Sequence, residues 1–546
     1  MVRYILYLLF VVLGTFSSLN AQDYLISTPN TSLLLTAKQG EAARIQYYGT
    51  RIEKDRIQQI YDAGLALRSE SYPVFGIHSY NDKAMQVTHV DGNMSLEMEV
   101  ESVKQYEVPE AEITEVLLKD KVYPFFIKQY YKAYKNSDVI GTWIEITHQE
   151  KKPITMYKFA SAFVPIRRGD NWLTHLHGTW GAENMLQEEK LTDGQKVIKN
   201  EDGVRNTMSE NPSIMLTLDG KPQEETGHVF GGCLAWSGNY TLKLDVDNNK
   251  VIKVYAGINE DASYYTLDPK KTFVTPEFAM TYSTSGKGEV SRNFHRWAHL
   301  HKLSHADANR DILLNSWEGV YFKVNQEVMD QMMKDMSQLG GELFVMDDGW
   351  FGDKYPRDGG STSLGDWMVC KKKLPEGIEG LIASAKKYGI KFGIWIEPEM
   401  TNTKSELYEK HPDWIICQNN RTPSKGRGGT QMILDMSNPE VQDFVFGVVD
   451  NLMTNHPEIA YIKWDANASI MNYGSYYLPK DRQSHLYIEY HKGLNNVLER
   501  IRAKYPNLLM QACASGGSRV NYGLLPYFGE FWTSDNTDAY QRIYMQ

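Results

Sequence analysis

Cysteine is scarce in this sequence and widely spread. Four cysteines, Cys233, Cys370, Cys417 and Cys513, occur in 546 residues, a density that excludes a disulfide-dense scaffold. The sequence contains neither a CxxC motif nor a Cys/His cluster, so it indicates no zinc site. No cysteine lies near the end of the apolar N-terminal segment, which leaves no residue there for lipid attachment.

Other absences exclude further classes of protein. The 42 glycines and 20 prolines are too few for a collagen-like or linker-rich chain. The net charge of −10 argues against nucleic acid or an anionic membrane surface as the main partner. No GxGxxG motif follows a strand, which disfavours a dinucleotide site. The 34 Tyr, 19 Phe and 12 Trp exclude disorder, and such aromatic richness suits sugar binding, because flat rings stack on the C–H faces of sugars.

Residues 1–21 have the features of an export signal. Arg3 supplies a positive charge, residues 5–13 form a short apolar run, and small residues precede Gln22. The run is too short to span a bilayer, and no later stretch is apolar enough to do so. The alternative is a buried N-terminal strand. We expect an exported protein, periplasmic or extracellular, with no stable membrane span.

Residues 22–290 have the pattern of an antiparallel β domain. Short runs rich in β-branched and aromatic residues are separated by Gly, Asn, Asp and Pro. Residues 240–246 and 251–255 alternate in polarity around Asp247-Asn248-Asn249, which predicts a hairpin. Residues 213–218 and 273–282 also read as strands. This half therefore predicts a large β-sandwich.

In the second half of the chain the spacing of apolar residues changes. Residues 291–310 are expected to form a linking helix, and residues 311–546 a catalytic domain of alternating strands and helices. This alternation predicts either a doubly wound sheet or a (β/α)8 barrel, and we favour the barrel. The predicted strands are 312–314, 343–346, 392–396, 459–464, 508–511 and 530–532. Predicted helices include 326–339, one that begins at Pro439 with Asn438 as its cap, and one with Leu486, Tyr490, Leu494, Val497, Leu498 and Ile501 on one face.

Acidic residues follow four of the predicted strands. Asp347 and Asp348 end the second strand, Glu397 and Glu399 the third, and Asp465 and Asp535 the fourth and sixth. The carboxyl ends of barrel strands open onto one face, so these side chains are expected to converge there. A lone Asp is more often a helix cap or a turn residue, but recurrence at four strand ends favours function. Paired carboxylates with nearby tryptophans suit the cleavage of a glycosidic bond.

Several neighbours of these carboxylates leave two interpretations open. Lys463 either keeps a nucleophilic carboxylate ionised or forms a structural ion pair. Asp347-Asp348 binds either sugar hydroxyls or Ca²⁺, although EF-hand spacing is missing. Arg357 and Asp358, in a glycine-rich loop, are interpreted as solvated. His175 and His177 have no partners at a spacing that predicts a metal site.

The motifs in this half resemble those of glycoside hydrolase family 36, the retaining α-galactosidases. They occur in the family's order along most of the chain: Asn315–Glu318, Asp347–Gly352, Leu364–Trp367, Gly393–Met400, Tyr461–Asp465, Cys513–Gly517 and Trp532–Ala539. Tyr72–Gly76 and Thr275–Glu277 resemble the family's N-terminal β-supersandwich. The resemblance implies an N-terminal antiparallel β-supersandwich followed by a (β/α)8 TIM-type barrel.

The resemblance also implies roles for individual residues. Asp465 would be the nucleophile that forms a covalent galactosyl-enzyme, and Asp535 the acid that becomes the base for water. Asp347 and Asp348 would bind the galactose hydroxyls at positions 4 and 6. Further substrate-binding residues would be Trp395, Arg427, Lys463, Cys513, Gly516 and Gly517. We expect no metal, no organic cofactor, and an α-galactoside of the melibiose or raffinose type as substrate.

Departures from the family pattern leave the substrate open. Gln511 stands where many members have Glu, Ala468 replaces a basic residue, and Gly516–Asn521 reads GGSRVN instead of GGGRFD. The alternatives are an α-N-acetylgalactosaminidase, a galactosyl transferase that uses the same site, or an inactive truncated sugar-binding protein. Two residues inserted between Arg427 and Gln431 also weaken the assignment of Arg427. Because the sequence offers six strand candidates and ends at Gln546, we expect a truncated barrel. The resemblance also allows a homo-oligomer.

Overall fold

The computed structural model describes residues 21–76, 82–247 and 251–545. The predicted export signal lies outside the described residues except for its last position. Among the helices in these three ranges, none combines the length and the apolar character needed to cross a bilayer.

The first half is an antiparallel β domain, as predicted. All pairings between its strands are antiparallel. In chain order the strands are β1 (Gln22–Ser27), β2 (Thr31–Ala37), β3 (Arg44–Thr50), β4 (Ser69–Glu70), β5 (Met85–Thr88), β6 (Met98–Val108), β7 (Ala111–Asp120), β8 (Phe125–Tyr134), β9 (Val139–His148), β10 (Ile154–Phe159), β11 (Ala162–Arg167), β12 (Trp172–Thr179), β13 (Ala182–Lys190), β14 (Gly194–Asn200), β15 (Glu210–Thr217), β16 (Val229–Leu234), β17 (Tyr240–Val246), β18 (Val251–Ile258), β19 (Tyr265–Leu267), β20 (Thr272–Val274) and β21 (Phe278–Ser283). A 3-10 turn (Lys54–Arg56) and helix α1 (Ile57–Asp62) follow β3.

Four sheets share one apolar core. Their strand orders are β1-β2-β3-β4, β19-β10-β5, β11-β18-β17-β14 and β13-β12-β15-β16-β21-β9-β8-β7-β6, with β20 paired to β9. Leu33, Met156, Leu242 and Phe230 each come from a different sheet and are fully buried in the same cluster. The inward residues of the strands therefore close a sandwich-like layer, as their alternating polarity requires.

One predicted strand is wrong in detail. Residues 273–282 do not form a single strand, because β20 and β21 are separated at Thr275-Pro276-Glu277. Pro276 has no N–H to donate to a ladder. The hydroxyl of Thr275 instead accepts a hydrogen bond from the Ile144 N–H at 3.0 Å. The hairpin predicted from residues 240–255 is confirmed, with Tyr240 opposite Ile258.

The helix that follows the β domain, α2, runs from Gly286 to His301, whereas the sequence predicts 291–310. It ends early because the Ser304 N–H donates to Leu525 O and His305 adopts φ +56°, outside the helical region. Val290 and Trp297 are buried beneath the ten-stranded sheet.

The second half is built around a parallel sheet of six strands. In chain order and in spatial order these are β22 (Leu313–Asn315), β23 (Leu343–Met346), β24 (Lys391–Ile396), β27 (Ile459–Trp464), β28 (Leu509–Ala512) and β29 (Glu530–Phe531). β25 (Met400–Thr401) and β26 (Met432–Ile433) form a separate antiparallel pair. Sequential parallel order is that of a barrel, whereas a doubly wound sheet reverses its order. That this sheet is a (β/α)8 barrel truncated after about six strands stays a prediction.

Helices alternate with these strands. They are α3 (Trp317–Val320), α4 (Gln326–Gln338), α5 (Gly377–Lys387), α6 (Glu406–Lys410), α7 (Pro439–Asn455), α8 (Leu486–Lys504) and α9 (Ala539–Met545), with a 3-10 turn at Lys480–His485. Asn438 caps α7 as predicted, since its side chain accepts from the Glu440 N–H, and Asn325 caps α4 through the Val328 N–H. All six apolar residues predicted for one face of α8 are buried.

The β domain contacts the parallel-sheet domain directly. His491 on α8 is paired with Gly203 O, and Tyr265 donates to Glu489. The Thr207 N–H donates to Ser518 O at 2.8 Å. These contacts bring loops of the β domain beside the carboxyl ends of the parallel strands.

Candidate active site

The period of a strand places the functional side chains on one face of the parallel sheet. Val345 and Tyr461 lie on the face that forms a small apolar cluster of its own. Residues two positions apart share a face of a strand, so Asp347 follows Val345, and Lys463 follows Tyr461, on this same side. Trp395 is directly opposite Lys463 in the register of β24 and β27. The side chains of Asp347, Trp395 and Lys463 therefore lie on the same face, at the carboxyl ends of the strands.

Lys463 is bonded to Asp347 inside the protein. Its Nζ lies 2.8 Å from Asp347 Oδ2, and Asn315 Nδ2 donates to the same oxygen at 2.6 Å. Burial disfavours the ammonium, but the charges of Asp347 and Asp465 outweigh it and hold the pKa of Lys463 above its ordinary value. Both interpretations of Lys463 therefore apply: it forms a buried ion pair, and it lies beside the predicted nucleophile.

Asp465 is held by donors on both carboxylate oxygens. Oδ2 accepts from Trp395 Nε1 at 3.1 Å and from Asn467 Nδ2 at 2.8 Å. Oδ1 accepts from the Ala466 N–H at 2.9 Å. Burial alone would raise the pKa of Asp465, but the positive charges of Lys463 and Arg427 and the hydrogen bond from Asn467 keep it below its ordinary value. An ionised carboxylate with a fixed orientation is what nucleophilic attack needs.

Asp348 binds a residue that was interpreted as solvated. Arg357 is fully buried, and its Nε and Nη2 donate to the two oxygens of Asp348 at 2.9 and 2.8 Å. The interpretation of Arg357 is therefore wrong. A two-point Arg–carboxylate contact fixes the plane of the carboxylate. Asn402 Oδ1 and Thr362 O accept from the remaining nitrogen, so each nitrogen of the guanidinium has a partner.

Asp535 lies between two indoles. Its Oδ1 accepts from Trp532 Nε1 at 3.1 Å and its Oδ2 from Trp180 Nε1 at 2.9 Å. The ring of Trp532 in turn lies over Lys463 Nζ, 5.1 Å from the ring centroid. Sequence reasoning missed Trp180, which comes from the turn between β12 and β13 in the β domain. The available signal is a tryptophan next to a glycine, Trp180-Gly181, between two runs that form strands.

Cys513, Gly516 and Gly517 lie next to these carboxylates. Burial and the charge of Asp465 raise the pKa of the Cys513 thiol well above its ordinary value, so the thiol is neutral. A Cβ at Gly516 would lie 2.8 Å from the Asp535 N, and one at Gly517 would lie 2.4 Å from Thr533 O. These glycines therefore allow the loop that carries Asp535 to approach. Substrate binding, the role predicted for both glycines, stays a prediction.

Arg427 reaches the site from a tight turn. Its φ of +45° is unusual for a residue with a side chain, and its Nη1 lies 4.0 Å from Glu397 Oε2. Partial desolvation opposes its charge, but the carboxylates of Glu397, Asp465 and Asp348 outweigh it and raise the pKa of Arg427. The structure thus places Arg427 among the predicted site residues despite the inserted glycines.

Two glutamates that follow β24 have opposite environments. Burial and the charge of Asp465 raise the pKa of Glu397 to about 8. Its oxygens accept from Gln431 Nε2 at 2.9 Å and from the Asn467 N–H at 2.6 Å. Burial would also raise the pKa of Glu399, but a two-point ion pair with Arg519 keeps that pKa low. Glu397 borders the site, whereas Glu399 is part of the supporting structure.

His175 and His177 lie beside glutamates of the β domain. His177 Nδ1 lies 2.9 Å from Glu210 Oε1, and His175 lies 3.4 Å from both Glu210 and Glu189. Within residues 21–76, 82–247 and 251–545, no group of three or more His, Cys, Asp or Glu is arranged to hold a metal ion. The four cysteines are free and buried.

A sandwich joined to a sequential parallel sheet, with carboxylates at the strand ends, is the arrangement of a glycoside hydrolase, and comparisons with known proteins specify the group. A family model described as Melibiase matches residues 272–546, and one described as the glycosyl hydrolase family 36 N-terminal domain matches residues 41–268. The chain belongs to glycoside hydrolase family 36.

Its relatives are α-galactosidases. The chain is 33% identical to α-galactosidase AgaA of Geobacillus stearothermophilus over 494 residues, 87% of this chain and 67% of AgaA. It is 34% identical to α-galactosidase Mel36A of Lactobacillus acidophilus, covering 80% of this chain and 59% of Mel36A. The crystal structure of an AgaA variant in complex with stachyose superposes with a TM-score of 0.90 at 30% identity, covering 96% of this chain and 77% of that one. The chain thus spans about three fifths to two thirds of these curated relatives.

Proposed function

We propose that this protein hydrolyses terminal α-galactosides as an exo-acting, retaining glycosidase. Asp465 attacks the anomeric carbon to form a galactosyl ester, while Asp535 protonates the departing oxygen and then activates water. The observation that carries the proposal is the state of Asp465, a buried carboxylate kept ionised beside Lys463 and held by Trp395. Membership of a family whose relatives are α-galactosidases supports the choice of sugar.

The remaining site residues fit the binding of one galactose unit. Asp347 and Asp348 lie at the end of β23 with their carboxylates oriented by Lys463 and Arg357. Oriented carboxylates accept hydrogen bonds from sugar hydroxyls, which selects the configuration at positions 4 and 6. The substrate we propose is an oligosaccharide of the raffinose type, in line with AgaA variants solved in complex with raffinose and stachyose.

The roles of the two carboxylates are tested by substitution. Asp465→Asn should lower kcat by about 10⁴-fold or more on every galactoside, because the covalent step is lost. Asp535→Asn should lower kcat/KM, which reports formation of the galactosyl ester, by about 10²–10⁴-fold for substrates with poor leaving groups and leave kcat/KM for galactosyl fluoride much less affected. Near-normal turnover by Asp465→Asn contradicts the proposal. A separation of the two carboxyl groups of about 5–5.5 Å is also expected for retention.

Product analysis separates this function from its alternatives. Hydrolysis with retention gives α-galactose as the first product, whereas a transferase gives a new disaccharide when an acceptor sugar is added. An N-acetylgalactosaminidase would prefer the 2-acetamido substrate. An inactive sugar-binding protein would bind galactose in calorimetry without turning over any of these substrates. Each alternative therefore gives a distinct result in the same set of assays.

Export and assembly are further parts of the proposal. Residues 1–21 have the composition of an export signal, so the mature protein is expected to begin at Gln22 outside the cytoplasm. N-terminal sequencing of the protein from fractionated cells tests this. The homo-oligomer suggested by the resemblance is tested by light scattering of the purified protein.

A further inference from the structure

The turn between β12 and β13 contacts the loop that carries Asp535. These two strands form the edge of the ten-stranded sheet, with β13 outermost. The turn consists of Trp180 and Gly181. Although it belongs to the β domain, it reaches across to the carboxyl end of β29 in the parallel sheet.

Three consecutive residues of the Asp535 loop are bonded to this hairpin. Ser534 Oγ donates to Glu183 Oε2 at 2.6 Å, and Asn536 Nδ2 donates to Gly181 O at 3.1 Å. Between them, Asp535 accepts from Trp180 Nε1 at 2.9 Å. Since the bonds on either side of Asp535 connect the hairpin to the loop, the position of Trp180 relative to the carboxylate is set by contacts between the two domains.

Trp180 nevertheless stays largely in solvent. The residue is 61% exposed, although Trp is among the side chains that gain most from burial. The hydrogen bond to Asp535 uses only the indole N–H, at the edge of the ring. The apolar faces of the indole are therefore available to a ligand that lies beside Asp535.

The two indoles on Asp535 define two sides of the carboxylate. Trp532 binds Oδ1 and lies over Lys463, which is bonded to Asp347. This is the inner side, where the galactose unit is proposed to bind. Trp180 binds Oδ2 on the outer, exposed side. A general acid must lie within hydrogen-bond distance of the glycosidic oxygen, so the group that flanks its outer side also flanks the leaving group.

We propose that Trp180 is the stacking surface for the sugar ring of the leaving group, so that the β domain determines specificity for saccharide leaving groups. This inference rests on the proposed function, because it takes Asp535 as the acid. A sugar ring presents an apolar C–H face, which packs against an indole as another flat apolar surface would. Trp180 thereby gives the site a preference for di- and trisaccharides over galactosides with small leaving groups.

The test compares a leaving group with a ring and one without. Trp180→Ala should lower kcat/KM for raffinose about tenfold and lower kcat/KM for methyl α-galactoside, whose leaving group needs the proton of Asp535 but has no ring, by about twofold at most. Trp180→Phe keeps an aromatic face and loses the N–H, so it should retain most of the activity on raffinose. Tyr264→Ala is the matched control, because Tyr264 is also an exposed aromatic of the β domain but packs against Tyr157.

Two results overturn the inference. One is an equal loss on both substrates with Trp180→Ala, which would mean that Trp180 only positions Asp535. The other is no loss on raffinose. If the wild-type protein turns over neither substrate, the proposed function fails. The inference is then tested separately by calorimetry, which compares the wild-type protein with the Trp180→Ala variant. Trp180→Ala should then weaken raffinose binding without changing galactose binding, and equal effects on both sugars would overturn it.

Discussion

Lys463 Nζ and Asp347 Oδ2 lie 2.8 Å apart, at the ends of the parallel strands β27 and β23, which are separated by a single strand. Both side chains are buried. Neither charge can be solvated by water at that depth, so each depends on the other. The strand between them, β24, contributes Trp395, which donates to Asp465. Lys463 therefore lies beside both Asp347, which is proposed to bind galactose, and Asp465, the proposed nucleophile.

Replacing Lys463 by Met should destabilise the protein by about 3–5 kcal/mol, because Asp347 would be left as an unpaired buried charge. Turnover should also be lost, since Asp465 loses the cation that keeps its pKa low. Urea unfolding and kcat/KM measure the two effects. The double variant Lys463→Met, Asp347→Asn should recover much of the stability and none of the activity. If the double variant is no more stable than the single one, the ion pair is not the cause.

Arg357→Lys should weaken galactose binding about tenfold or more, because a lysine cannot make the two-point contact that orients Asp348. Calorimetry with galactose measures this, and circular dichroism checks that the fold is kept. Lys354→Met is the matched control in the same loop. Lys354 pairs with Glu409 on the surface, where an ion pair contributes about 1 kcal/mol or less. Unchanged galactose affinity in Arg357→Lys would show that Asp348 is oriented without Arg357.

Glu397 should make stability depend on pH in the direction opposite to a typical carboxylate. Its pKa is about 8 in the folded protein against 4.5 ordinarily, so the folded state holds a proton that the unfolded state releases. Its contribution to stability is complete below about pH 4.5 and is lost as the pH rises towards 8. Glu397→Gln removes this titration. The urea midpoint of the variant, relative to the parent, should rise between pH 5 and pH 8.

Glu399→Gln provides the control of opposite sign. The pKa of Glu399 is lowered by Arg519, so its contribution is present at neutral pH and lost as the pH falls below its ordinary value of 4.5. The variant should be destabilised at pH 7 by about 3–5 kcal/mol, and the deficit should shrink in acid. If both variants show the same pH trend, the trend does not come from these two side chains.

The sequence predicts the strands of the parallel sheet well. The bounds of β23 and β27 agree with the predicted 343–346 and 459–464, because strands buried on both faces are near-continuous apolar runs, with Lys463 the one charged residue inside β27. The convergence of Asp347, Asp348 and Asp465 also follows from strand ends that share one edge. Local pattern and topology are sufficient for these features.

What the sequence does not reveal are contacts between distant segments. Trp180 and Asp535 are 355 positions apart, and no periodicity links a hairpin turn to a loop in another domain. Arg357 lies in a glycine-rich loop that indicates solvent exposure, yet it folds inward to pair with Asp348. In both cases the decisive fact is a partner supplied by tertiary structure, which composition and spacing do not encode.

Gly516 offers a test of how tightly the loop carrying Asp535 is packed. Its φ is +87°, and a Cβ there would lie 2.4 Å from Glu183 Oε1 and 2.8 Å from the Asp535 N. Gly516→Ala must therefore displace the Asp535 loop, the hairpin, or both. We expect a loss of kcat/KM on raffinose that exceeds the loss on galactosyl fluoride, because only the first leaving group needs the proton of Asp535.

Gly389→Ala separates this displacement from backbone strain alone. Gly389 has a comparable φ of +70°, and no described atom outside its own chain neighbours lies within 4 Å of the position that a Cβ would take there. The substitution should cost about 1–2 kcal/mol of stability, from the left-handed conformation, and leave the ratio of the two kcat/KM values unchanged. Thermal unfolding and the two assays measure both effects. If Gly516→Ala and Gly389→Ala change the ratio equally, the close approach of Gly516 does not position the acid.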